Sequence, residues 1–424
     1  MTRHRFRTLS ANVLFAVLVF AVMAFGAVER WALTVVGVAV FLLALTWVLR
    51  GLWRPFPLKG SHLAWPLLVI LLMAILQITA GWSVDLYQTS GEVLKWAAFL
   101  LYFLMWTNVF QDETIRGRFS TVFTWFGFLL AILALIQFYS SPDLLYWFRP
   151  APGAQAFGPF VDRNHYAALM ELIVPGALLL AMRRDEKQLL HFVLCGLILA
   201  SAVICALRAG AAVITAEVIL VTEVTLVSGR NFREGAREVA KVLALLALAV
   251  GLTLIAGTQR LLDRFRDLDR DINRVEVAVA TWELTQTRLW TGYGLGTFQL
   301  VFPSAAPFDD GHRCNHAHND PIKFDMELGL VGLLCQAALI GLLISRKHRR
   351  EVWLANILPL AGIWAHSWVE FPLQIPGLML VVLAILAQVP PKERRSQRGL
   401  SSPRPPRSLR TQAGNAADVP EVAV

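Results

Sequence analysis

Long runs of apolar residues, joined by short charged connections, set the limits on what this chain can fold into. The first two read "ANVLFAVLVFAVMAFGAV" and "WALTVVGVAVFLLALTWVL". A helix that crosses a bilayer takes ~20 mainly apolar residues. Twelve stretches have about that length: 11–28, 31–49, 63–80, 93–110, 119–139, 166–182, 189–207, 209–227, 242–257, 327–344, 353–369 and 373–389. Charged residues make up 16% of the chain, against roughly 25% in a soluble protein. That is too little charge to coat a soluble globule. The expected fold is all-α, a polytopic membrane protein with about twelve transmembrane helices.

Charge placement gives the orientation. The net charge is +9, and the basic residues cluster in connections between apolar runs. With Arg3, Arg5 and Arg7 in the cytoplasm, alternation puts "RGLWRPFPLK", "QDETIRGR", "RRDEK", "SGRNFREGAREVAK", "SRKHRR" and the segment from Pro390 on the same side. Each is net basic or balanced, as the positive-inside bias requires. Both termini are therefore expected inside. A lipid surface explains the basic character better than nucleic acid, so the bilayer is the expected partner and nucleic acid is not. The basic start resembles a signal peptide, but its apolar core is too long and no clear cleavage site ends it, so a retained first helix is expected. Residues 1–389 form the expected membrane domain. Residues 390–424, rich in Pro, Ser and Arg, form an expected disordered basic tail. Of four cysteines (Cys195, Cys205, Cys314 and Cys335), three lie in apolar runs and none forms a CxxC pair, so neither a disulfide framework nor a zinc knuckle is suggested.

Two outer connections are unusual. Residues 140–165 combine Pro, Gly and aromatics, and residues 258–325, between spans nine and ten, form the only long hydrophilic stretch between apolar runs. Long loops that are not linkers tend to carry function. Within the longer one, Val275, Val279 and Trp282 fall at helical spacing, so a short helix is expected over 271–288. "TGYGLGTF" must then break it. Gly292, Gly294 and Gly296 lack the βαβ context of a dinucleotide fingerprint, so tight turning is the expected role.

"HRCNHAHND" follows, residues 312–320. Three readings are open. His312, Cys314, His316 and His318 alternate, so in an extended loop they share one side and are metal-ligand candidates; zinc sites, however, usually draw on separated pairs. The stretch also suits a merely solvated loop. The third reading is catalytic. "NDPIKFDMELGLVGLL" opens a helix in which Asp320 can cap and Pro321 can take the first helical position. His318 then precedes a helix N-terminus, where it could act as a general base beside a bound phosphate. Arg163, Arg208 and Arg274 all map to the outer face and could hold that phosphate. The alternatives are a snorkelling anchor for Arg208 and surface ion pairs with Asp162 or Glu276 for the other two.

Four segments in this order, "GPFVDRNHYAALMELIVPGALLL", "LRAGAAVITAEVIL", "RVEVAVATWELTQTRLWTGYGLGTF" and "HAHNDPIKFDMELGLVGLL", resemble the O-antigen ligase and O-antigen polymerase superfamily. These are bacterial lipid-linked glycan transferases of the inner membrane. The resemblance spans roughly residues 150–345, and its most specific element is His318-Asn319 followed by Gly329. It implies a glycosyltransferase that takes a glycan from undecaprenyl diphosphate to a hydroxyl of a glycan or glycolipid acceptor in the periplasm, without metal or cofactor. By motif it carries over His318, Arg208 and Arg274 as catalytic residues and Arg163, Asn164, Asn319 and His316 as substrate-binding ones. One departure is Leu207-Arg208-Ala209-Gly210, where the family often has Ser-Arg-Gly. Ligase, polymerase and protein-glycosylating roles all share these motifs. The rival class is a twelve-span transporter or flippase of a glycan or lipid-linked substrate. Such proteins tend to show internal repeats and midplane polar sites, whereas here the polar cluster lies in one asymmetric outer loop.

Overall fold

Apolar segments in hydrocarbon must satisfy their own backbone N–H and C=O groups, so they fold as helices. The computed structural model describes residues 2–141, 144–150, 156–183, 185–205, 208–227, 232–256, 269–306, 315–345 and 348–389. The helices are α1 (Arg3–Met23), α2 (Arg30–Trp53), α3 (Ala64–Thr79), α4 (Leu86–Val109), α5 (Glu113–Ser140), α6 (Arg163–Ala181), α7 (Gln188–Cys205), α8 (Arg208–Val227), α9 (Phe232–Ala256), α10 (Asp269–Thr287), α11 (Asp320–Leu328), α12 (Leu330–Ile344), α13 (Leu358–His366) and α14 (Pro376–Ala387), with shorter turns between them. Side chains cap several starts: Asp85 accepts from the Gln88 amide at 2.8 Å, Asp112 from Thr114 at 3.1 Å and Asp162 from Asn164 at 2.8 Å. Each such cap is worth about 1 kcal/mol. Among the described residues, strands are confined to an antiparallel pair, Leu144–Leu145 with Arg149–Pro150, in the connection between α5 and α6.

This is a multi-pass membrane protein, but the expected count of twelve spans is corrected. Among the described residues, five helices are long and apolar enough to cross a membrane: α1, α2, α5, α6 and α7. Six of the other seven fall short for identifiable reasons. The helices α3, α12 and α14 have 16, 15 and 12 residues. The run at 353–369 is broken into a π-helical turn, Trp353–Ile357, and the nine-residue α13. Charges interrupt two more, Glu92 and Lys95 in α4 and Glu217 and Glu223 in α8. Of the long loop, helix α10 lies where the spacing places it. On it, Val275, Val279 and Trp282 are exposed, while Val277, Ala280 and Leu284 are buried. The expected tail falls outside the described residues.

The apolar spans share one large core. Helix α6 lies deep inside it, with 89% of its apolar window buried, whereas α2 at 22% lies at the periphery. Helix α6 also contains Pro175, which has no N–H to give to the carbonyl of Glu171 one turn earlier. A second, smaller cluster gathers Val277, Ala280 and Leu284 with Phe298, Phe302, Ala317 and Met326. It fastens α10 to α11 and so fixes where the long loop presents its polar residues.

The glycine-rich turn is a buckle between these parts. Gly292, Gly294 and Gly296 have φ of 63°, 111° and 83°, conformations that glycine adopts without steric cost. A Cβ on Gly292 would lie 2.2 Å from the Glu327 carbonyl oxygen. Gln77 of α3 ties the turn down: its Nε2 donates to the Thr291 and Glu327 carbonyls, each at 2.8 Å, and its Oε1 accepts from the Leu295 amide at 3.0 Å.

Candidate active site

The start of α11 is laced to the segment that follows α13. The Asp320 amide donates to the Ser367 carbonyl at 2.8 Å, and Asn319 Nδ2 donates to the Trp368 carbonyl at 2.9 Å. In return, Asp320 Oδ2 accepts from the Leu373 amide at 2.8 Å, and Lys323 Nζ donates to Gln374 Oε1 at 2.9 Å. The cap differs from the expected one. Asn319, not Asp320, caps the helix by accepting from the Ile322 amide at 3.0 Å. Asp320 occupies the first helical position, and its carboxylate turns to Leu373. The expected phosphate role of this helix end is corrected with it. Asp320 N–H, Ile322 N–H and Lys323 N–H are all engaged and Pro321 has none, so no first-turn amide is left for an anion.

Lacing these segments together brings Glu370 to the centre. Its side chain is 3% exposed. Oε1 accepts from Arg274 at 2.8 Å and from the Asn164 amide, and Oε2 lies 3.3 Å from His318 Nδ1. Three of the residues singled out in the sequence, from α6, α10 and the pre-α11 loop, thus converge on one carboxylate. Burial pushes the Glu370 carboxyl up, but the hydrogen bond from His318 and the positive charge of Arg274 outweigh it and hold the group below its ordinary value. An ionised carboxylate only accepts, so Nδ1 of His318 carries a proton, and in the neutral ring the lone pair is then on Nε2.

His318 is held unusually. Its φ is +49°, a left-handed conformation that costs a non-glycine residue about 1 kcal/mol or more. Its side chain is 29% exposed, so the ring is reachable while its Nδ1 edge is fixed. Phe371 supplies the wall. The His318 and His165 rings each meet it edge-on at 5.0 Å, and His316 stacks on it at 4.2 Å and 13°. Burial, with the nearby charge of Lys323 adding to it, pushes the His316 imidazole down to about 2. His316 is therefore a neutral ring that packs. Burial likewise pushes the Asp320 carboxyl up to about 7.

The remaining candidates divide. Arg163 is the first residue of α6. Its Nε is buried without a hydrogen-bond partner among the described residues, and its carbonyl accepts from Cys205 Sγ at 3.3 Å. Arg208 is the first residue of α8, but its side chain lies outside the described residues, as do His312 and Cys314. Among the described residues, no group of three or more His, Cys, Asp or Glu is arranged to hold a metal ion. The ion pairs weighed for Arg274 and Arg163 resolve differently: Arg274 pairs with Glu370, and Asp162 caps α6. Glu370 is the residue the sequence reading missed. The available signal was a lone carboxylate between two apolar runs, in "SWVEFPLQIP", since charges at a span boundary default to function.

Residues 166–337 match the family model described as O-antigen ligase, which supports membership of this superfamily. The matched stretch includes Arg208, Arg274, His316, His318 and Asn319, while Arg163, Asn164 and Glu370 lie outside it. No curated protein and no solved structure matches the chain.

Proposed function

We propose that this protein is a membrane glycosyltransferase of the O-antigen ligase or polymerase kind, which moves a glycan from undecaprenyl diphosphate to an acceptor hydroxyl at the periplasmic face. The observation that carries the reading is the convergence of His318, Arg274 and Asn164 on Glu370, with His318 and Arg274 inside the family-matched stretch. The family match speaks for lipid-linked glycan handling in general.

The chemistry follows from the residue types. The acceptor hydroxyl attacks the anomeric carbon, and its proton passes to His318 Nε2. The bond from the anomeric carbon to the diphosphate oxygen breaks, and its electron pair leaves with the diphosphate. Glu370 fixes the His318 tautomer through Nδ1 and stabilises the imidazolium that forms. Arg274, with Arg163 and Arg208, offers guanidinium groups to the diphosphate, which bind phosphate oxygens in bidentate fashion and stabilise the departing charge. Asn164 holds Glu370 in place, Asn319 sets the entry of α11, and His316 packs against Phe371. Diphosphate leaves readily, so the scheme asks for no strong general acid. Ligase, polymerase and protein-glycosylating enzymes differ only in whose hydroxyl attacks.

Purified protein in lipid vesicles, given a lipid-linked glycan and an acceptor, tests this. Release of undecaprenyl diphosphate with glycan joined to the acceptor is the expected result. Movement of the intact lipid-linked glycan across the bilayer without release overturns the transferase reading in favour of a flippase.

A further inference from the structure

Behind the candidate site, inside the helical bundle, lies a cluster of ionisable groups that glycosyl transfer does not touch. Glu171 is midway along α6, Glu217 midway along α8, and His366 ends α13. All three are at most 2% exposed. His366 Nδ1 and Glu171 Oε1 are 2.7 Å apart, with both side chains wholly enclosed. Glu217 reaches the cluster because α13 carries glycine where it passes: a Cβ on Gly362 would sit 2.5 Å from Glu217 Oε1. Four buried polar atoms have no hydrogen-bond partner among the described residues: both Glu217 oxygens, Glu171 Oε2 and His366 Nε2. Pro175 adds a fifth acceptor by leaving the Glu171 carbonyl without its helical donor.

A buried carboxylate with no partner is among the costliest things a protein can hold, and the ordinary remedy is a proton. Ionisable groups in a membrane interior mark function by default. Among the described residues, the charged groups facing the cluster are few. Glu171 faces His366 and Glu217, and His366 also senses His165, Glu370 and Asp320. Helix α7, packed on α6, also carries a buried histidine, His191, near its start. No arginine or lysine appears among these groups.

His366 links this cluster to the candidate site directly. Its side chain is held by Glu171, and its carbonyl accepts from the amides of Val369 and Glu370, each at 3.1 Å. The segment that supplies Glu370 and Phe371 therefore hangs from His366. We infer that Glu171, Glu217 and His366 form a buried proton-binding site that positions the Glu370 segment: Glu217 is held as the neutral acid, and one proton lies between Glu171 and His366. These are positioning residues, and their effect on transfer rests on the function proposed above.

Two measurements on the full chain in lipid nanodiscs test this separately. Infrared difference spectra over a pH titration should show the carbonyl stretch of a carboxylic acid in a dry site, persisting to alkaline pH and absent from E217Q. This arm needs no substrate, so it stands whether or not the protein transfers a glycan. In the transfer assay, E171Q and H366N, chosen as near-isosteres that keep the bundle filled, should lower kcat on the order of ten- to a hundredfold, as misplaced catalytic groups do. KM for the lipid-linked donor should stay within about twofold. An alkaline-pH acid band that is undiminished in E217Q overturns the proton site. Wild-type kcat in E171Q and H366N, in preparations that transfer glycan, overturns the positioning role.

Discussion

At the scale of single residues, the proposed reaction divides the work between His318 and Glu370. H318A should lower transfer on the order of 10²- to 10⁴-fold, the usual contribution of a positioned base, read as the rate of undecaprenyl diphosphate release. E370Q keeps the shape but cannot hold His318 as the ionised carboxylate does. A loss on the order of ten- to a hundredfold is expected in the same assay, and full activity would remove Glu370 from the scheme. The left-handed backbone at His318 gives a second readout. H318G relieves the strain at φ +49°, so it should melt no lower than H318A while remaining inactive. Asp320 makes a pH prediction. Unfolded, its carboxyl titrates at its ordinary value of 3.8; folded, burial raises it to about 7. Between those values the folded chain keeps a proton that the unfolded chain releases, so stability falls as pH rises through this window and levels off above it. Melting temperatures in detergent at several pH values should show that slope, and D320N should flatten it.

At the scale of elements, the glycine buckle offers the sharpest test. G292A forces a Cβ against the Glu327 carbonyl at a positive φ, and a loss of about 1–3 kcal/mol or failure to fold is expected, measured by thermal unfolding. Folded protein of wild-type stability would refute the account of the turn. The apolar runs told the sequence reader where helices lie, because their length and composition leave the backbone no other way to bond. They did not tell where a run breaks, as at the π-helical turn Trp353–Ile357, since all its residues but Asn356 remain apolar. The buried face of α10 was not legible for a related reason. Val275, Val279 and Trp282 share a stripe, but the second apolar cluster takes the opposite one, and near a lipid phase an apolar stripe need not point inward. For the site, the His-Asn pair and the arginines were legible as polar residues at helix ends. Glu370 was not, because its partners come from segments up to 206 residues away in sequence, and only the fold brings them together.

At the scale of the whole molecule, the family-matched stretch ends at residue 337, yet the carboxylate that gathers its polar residues lies beyond α13. Deleting everything after residue 345 would leave the matched stretch intact and should still abolish transfer, with membrane association retained; activity in that truncation would show that the last two helices are dispensable. The lacing of α11 to residues 367–374 thereby carries a consequence for the order of events during synthesis. A chain emerging from the ribosome contains His318 and α11 before residues 367–374 have been made. Until they arrive, Asn319 lacks the Trp368 carbonyl and Asp320 lacks the Leu373 amide, and no carboxylate orients the imidazole. On the function proposed above, the half-made protein would be inert toward lipid-linked glycans until its final helices pack against the start of α11.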